Sequence, residues 1–125
     1  MASELRVNTL KDAAGANSVA MQYVAGGSAK AWVNFNGQGT IAARDSLNLS
    51  SLTDNSTGNY TSSWSSALAN AGYSALYGAG VTGVITAQER LQTISTGSYR
   101  TEMNEDNSGA ADSSYVMLAM HGDLA

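Results

Sequence analysis

Apolar and polar residues alternate with a period of two along most of this chain, and the helical period of 3.6 is scarce. Within Lys30 to Asn36, Ala31, Val33 and Phe35 share one face, while Lys30, Trp32, Asn34 and Asn36 point the other way. From Tyr60 to Leu68, Tyr60, Ser62, Trp64, Ser66 and Leu68 fall on one side and Thr61, Ser63, Ser65 and Ala67 on the other. Tyr73, Ala75 and Tyr77 repeat the pattern, as do Tyr99, Thr101 and Met103 against Arg100, Glu102 and Asn104. Such alternation predicts strands with one packed face. Tyr115 to Met120 is apolar on both faces, which predicts a central strand or one buried in an interface.

Turn chemistry separates these segments. Asn36-Gly37-Gln38-Gly39 follows the Trp32 strand, and Asp54 to Asn59 reads as a hairpin loop with Gly58 available for positive φ. Asn104 to Ser114 forms a further polar connection. Several short strands at regular spacing predict an all-β fold, a small antiparallel β-sandwich over residues 29–125. Trp32, Phe35, Tyr60 and Trp64 are its candidate core anchors, with Phe35 and Trp64 expected to be buried. Residues 1–28 alternate only from Leu5 to Leu10 and then turn rich in Gly and Ala, so they are expected to form an extended N-terminal attachment arm. Residues 86–97 stay open. Thr86-Ala87-Gln88-Glu89 matches a capping box with Leu91 and Ile94 at helical spacing, yet Arg90 to Ile94 fits a strand equally.

Composition narrows the function more than the fold. A chain of 125 residues suits one domain. It contains 17 Ser, 10 Thr, 10 Asn and 13 Gly, but its aromatic residues recur regularly and proline is absent, which argues for a folded chain. The absence of cysteine excludes disulfides and thiolate metal sites, and a single His (His121) excludes a multi-histidine site. No apolar run reaches the ~18 residues of a membrane span, and the opening residues lack the basic and apolar regions of a signal peptide. A net charge of −4 with six Lys and Arg argues against a nucleic-acid surface. Between Asp54 and Glu89 no residue is charged, although soluble monomers usually scatter both signs over their surface. A hydroxyl-rich β surface and strands facing another subunit both fit this stretch; the second leads to the expectation of a homotrimer.

Candidate chemistry is sparse. His121 lies near Asp123, but no Ser stands in a Gly-x-Ser-x-Gly context, so His121 reads as a strand-end residue. Glu102, Glu105, Asp106 and Asp112 crowd one hairpin region and read as a solvated loop rather than a glycan-cleaving pair. Asn104-x-Asp106-x-Ser108-Gly109 imitates the start of a calcium loop, but Tyr115 occupies the position of its terminal Glu. Three Asn-x-Ser/Thr sequons, at Asn48, Asn55 and Asn59, are matches that chance supplies in such a composition. No catalytic, cofactor-binding or metal-ligating residue is assigned.

One long segment carries a resemblance. Ala29-Lys30-Ala31-Trp32-Val33-Asn34-Phe35-Asn36-Gly37-Gln38-Gly39-Thr40 resembles the AKAWVNFNGTGT segment of structural proteins from marine and cyanobacterial tailed phages. Ile41 to Thr61 is similar to that family's Arg-bearing strand and its T-D-N-x-T-G-x-Y-T hairpin. The likeness is close over residues 29–61 and loose over 62–125, where Asn70-Ala71-Gly72-Tyr73 and Tyr115 to His121 fit the later pattern. Glu4 to Asp12 resembles short openings of the same proteins. The resemblance implies a non-catalytic domain of tail-fibre-like chains, which are generally trimeric. With no long fibre shaft in this sequence, the expectation is a non-enzymatic virion protein: a short fibre or appendage on the tail or head, contacting the host surface. A capsid decoration (cement) protein and a glycan-binding adhesin, using exposed Tyr, Trp and Asn, are the alternatives. The expected partners are further copies of the chain, phage capsid or tail proteins and a host surface glycan, with no nucleic acid and no membrane. Leu5, Val7 and Leu10 are the candidate attachment residues. They would give register to a strand added to a partner's sheet edge, on the virion or within the chain's own trimer.

Overall fold

The computed structural model describes residues 3–80, 87–105 and 109–125. Two short strands open the chain, β1 (Thr9–Lys11) and β2 (Ser18–Ala20), followed by a single helix, α1 (Met21–Gly27). Then come β3 (Ala29–Asn36), β4 (Ala42–Leu47), β5 (Leu49–Ser56), β6 (Asn59–Trp64) and β7 (Ser74–Gly80). The last four are β8 (Ala87–Ile94), β9 (Ser98–Glu105), β10 (Gly109–Ala110) and β11 (Tyr115–His121). One antiparallel sheet has the order β4-β3-β11-β7; in the other, β5 pairs with β6, β6 with β9, and β9 also with β8 and β10. The fold is an all-β sandwich.

The core lies between the two sheets. Ala31, Val33 and Phe35 of β3 and Val116, Leu118 and Met120 of β11 meet Tyr60 and Trp64 of β6 and Tyr99 and Met103 of β9. Every second residue of these strands is buried, as the alternation requires. The Phe35 and Tyr60 rings meet edge to face at 5.3 Å and 82°, an arrangement worth about 0.5–1.5 kcal/mol beyond the area it buries. Trp32 is no core anchor. It shares β3 with Phe35 but has the opposite parity, so its side chain stands half-buried on the outside of the sheet.

A hydroxyl closes one end of the sandwich. The Tyr60 Oη donates to the Gly37 carbonyl (3.0 Å) or the Asp112 carboxylate (3.1 Å), and accepts from the Ser113 N–H (3.3 Å). Asp112 also accepts from the Gly58 N–H at 2.7 Å, and the Gly37 N–H donates to the Ser113 carbonyl at 2.9 Å. The turns after β3, after β5 and before β11 are thus tied to one phenol. Gly37 and Gly58 are required here for space. A Cβ on Gly37 would lie 2.4 Å from the Tyr60 hydroxyl, and one on Gly58 would lie 2.6 Å from the Ala111 and Met103 carbonyls, at φ +67°.

Asn48 turns the chain from one sheet to the other, in the left-handed region at φ 60°, which Asn tolerates better than most residues. Its amide donates to the Lys30 and Ser66 carbonyls and accepts from the Ser66 N–H at 2.7 Å. The far end closes where Tyr73 donates to the Ser95 or Ser98 carbonyl and Leu68 bridges Leu124.

The structure decides one region that the sequence left open and corrects another. Residues 87–94 form a strand, because β9 supplies a hydrogen-bonding neighbour along their length; Thr86 lies outside the described residues. The opening segment is not extended throughout. Asp12 accepts from the Ala16 N–H and the Asn17 side chain, which together with Gly15 at φ +70° folds β1 back on β2. The Asn17 contact holds the Asp12 carboxyl below its usual value. No described residue before Ala29 is buried.

Trp64→Ala is expected to lower stability by about 3–5 kcal/mol, measured by thermal melting; an unchanged melting point would place the indole outside the core. Tyr60→Phe removes the one proton offered to the Gly37 carbonyl or Asp112 and leaves the Ser113 N–H without its acceptor, and should cost about 1–3 kcal/mol. Burial pushes the Tyr60 phenol well above its ordinary value of 10.0, with Asp112 adding to the rise, and burial raises Tyr73 too. The folded state therefore keeps a proton that the unfolded chain loses from pH 10 upward. That stabilisation is fully present below pH 10 and falls as pH rises above it. The urea midpoint of the wild type should drop above pH 10, and Tyr60→Phe should drop less; equal slopes would rule out Tyr60 as a source.

Candidate interaction surface

The four-stranded sheet covers the core with one face, and its other face meets solvent. The strand registers set Leu47, Trp32, Ala119 and Leu76 in one row across β4, β3, β11 and β7, with Asp45, Asn34, Met117 and Gly78 in the next. Trp32, Leu76, Gly78, Met117 and Ala119 line a shallow, predominantly apolar groove of about 460 Å³. Leu76 is 57% exposed, Leu47 47% and Met117 43%, so neither loop nor helix of the described chain covers this face. Single exposed apolar residues are ordinary, and a contiguous set across four strands is the candidate interaction surface of this chain.

A register break gives the groove its border. Asn34 pairs with Asp45 and Phe35 with Ala43, which leaves Arg44 as the extra residue of a bulge. Bulges re-aim side chains. Here the Arg44 guanidinium lies 4.2 Å from the centre of the Tyr115 ring and donates to the Ser114 carbonyl at 2.6 Å and to Asn34 at 3.3 Å.

The outer face of the second sheet has a different chemistry. Arg100 Nε donates to Asn59 Oδ1 at 2.8 Å, Asn59 Nδ2 donates to Glu102, and Asn55 donates to Thr61. Its polar groups largely satisfy one another. The charge-free stretch of the sequence supplies hydroxyls on β6 and exposed Leu76 and Tyr77 on β7.

The candidate residues fall into separate places. Phe35, Tyr60 and Trp64 are buried in the core, whereas Trp32 lines the groove. Leu5 and Val7 are exposed, and Leu10 pairs with Val19 in the β1–β2 hairpin. His121 ends β11, its Nδ1 3.1 Å from the Gly27 carbonyl. Asp112 belongs to the Tyr60 clasp. Asp106 and Ser108, from the calcium-loop imitation, lie outside the described residues. Among the described residues no group of three His, Cys, Asp or Glu is placed to hold a metal ion, and no helix is long and apolar enough to cross a membrane. The pairing of Arg44 with Tyr115 was missed from sequence, because only the bulge brings the two together. Outward Trp32 and Met117 were detectable as large apolar residues at the wrong parity.

The chain matches no protein-family model, no curated protein and no solved structure.

Met117→Asp changes the groove without touching the core. At dilutions where the wild type is a single chain it should shift stability by no more than about 0.5 kcal/mol, whereas Val116→Asp, one residue away on the buried side, should prevent folding. Circular dichroism melting of the pair checks the assignment of faces, and equal losses would refute it.

Proposed function

We propose that this chain is a non-enzymatic structural subunit of a tailed-phage particle, a short fibre or appendage that self-associates as a homotrimer through the outer face of its four-stranded sheet. The observation that carries this reading is the apolar groove itself. A protein that worked alone would keep Trp32, Leu76 and Met117 in water, at risk of non-specific association. Packing three copies about a threefold axis buries the same patch on each and closes the assembly. The resemblance of residues 29–61 to phage structural proteins supports the virion setting, and β3 with its flanking turn holds the closest part of that likeness.

The face has a suitable construction for this role. β11 is hydrogen-bonded on both sides, so the groove floor is a rigid ladder rather than a loop. The bulge-borne Arg44 and the neighbouring Asp45 place a polar rim beside an apolar centre, the usual anatomy of a protein interface.

Light scattering on the purified chain should give a three-chain mass at micromolar concentration, and Met117→Asp should reduce it to a single chain. Quantitative blotting of particles should find copies in multiples of three. A monomeric wild type would overturn the self-association, and absence from purified particles would overturn the virion role.

A further inference from the structure

We infer that residues 3–8 of one copy add as a strand to the open edge of β7 in a second copy. This deepens the self-association reading and rests on it for the second copy. The acceptor is unusual among the sheet edges. β7 has no charged residue, no proline and an unbroken register against β11, and no strand pairs with its other side among the described residues. The remaining edges carry the features that discourage pairing. β1, β2 and β10 are only three, three and two residues long, β4 has Arg44, Asp45 and a register break, β5 has Asp54 and two register breaks, and β8 carries Glu89 and Arg90 in its sequence. Evolved proteins blunt an edge that must stay free, so an unguarded one is expected to have an occupant.

The same chain holds a segment that belongs to no sheet. Residues 3–8 form no described ladder, and Leu5 is 80% exposed. Arg6 reaches back to Glu4 with both Nε (2.9 Å) and Nη2 (3.1 Å). An ion pair between residues two apart puts both charges on one face, the arrangement of an extended strand, and leaves Leu5 and Val7 on the other. Six residues suit the seven of β7. Laid along that edge, Leu5 continues the apolar row that ends at Leu76 and Val7 lies beside Gly78 and Met117, while Glu4 and Arg6 remain paired. Gly80 has open space at its missing Cβ, and at Gly78 the nearest atom is the flexible end of Met117 at 3.2 Å. A donor on one copy and an acceptor on the next make a head-to-tail contact, which closes as a ring when the rotation is one third of a turn.

The absence of cysteine permits a direct test. Two chains distinguished by tag length are co-expressed, one with Leu5→Cys or Val7→Cys and the other with Leu76→Cys, Gly78→Cys or Gly80→Cys, and mildly oxidised. Neighbouring strands bring paired Cα atoms within disulfide reach. The mixed two-chain species should exceed by at least tenfold that formed with a control Asp45→Cys on the β4 edge. Deleting residues 3–8 should leave the melting transition in place and raise the concentration for assembly at least tenfold. A three-chain mass without these cross-links would overturn the exchange and leave self-association standing. A one-chain mass would overturn both. A cross-link formed inside a single doubly substituted chain, at monomer mass, would show that the segment docks on its own β7.

Discussion

The sandwich depends on one phenolic hydroxyl. Tyr60 sits inside the core with its ring against Phe35, and its oxygen reaches the backbone of the β3–β4 turn and the carboxylate ahead of β11. Burying a hydroxyl without partners costs several kcal/mol on the least forgiving scales, so these contacts decide whether the ring can be accommodated there. They also fix the approach of the two sheets at that end. The turn glycines follow from this, since the phenol occupies the space that a Cβ on Gly37 would need. The Asn-Gly and Thr-Gly-Asn-Tyr sequences therefore belong to one device, although more than twenty residues separate Gly37 from Tyr60.

That anchoring lets the four-stranded sheet remain open on its outer side. β3 and β11 obtain their stability from the buried rows Ala31, Val33, Phe35 and Val116, Leu118, Met120. Their outward residues are free to serve another purpose: Trp32, Met117 and Ala119 make an apolar centre beside Asn34 and Lys30, whereas the second sheet's exterior is amide, hydroxyl and charged. The two exteriors thus differ in what they can accept: one sheds water, and the other holds its polar groups in mutual bonds.

Much of the architecture was legible in the residues because period two is a local property. Tyr99, Thr101 and Met103 could be assigned to one face with no knowledge of their neighbours, and Gly58 could be assigned positive φ from its hairpin context. The rest depended on partners distant in the chain. Arg90 to Ile94 satisfied helical and strand patterns alike, and the pairing with β9 chose between them. Trp32 drew attention by its size, but parity, not size, sets the direction of a strand side chain. The Asp12–Asn17 turn was readable from its Asp, Gly and Asn, yet the Gly and Ala around it suggested an unbroken extended segment. Asn48 left no signal, because its role rests on Lys30 and Ser66 carbonyls brought to it by the fold. The groove was legible only in part: Tyr115 to Met120 declared two apolar faces, but which one the second sheet would cover was decided by Phe35 and its row.

The pairing of β3 with β11 also governs when the chain can fold. Val33 lies against Leu118, so β3 waits for β11, the last of the described strands, before its ladder is complete. Contacts this distant in sequence slow folding, and the loop entropy must be overcome before they contribute. Until then Ala29–Asn36 has an unpaired apolar edge. The nascent protein consequently passes through a window in which its most strand-like segment is its most adhesive, and truncation just before Tyr115 would leave it there permanently.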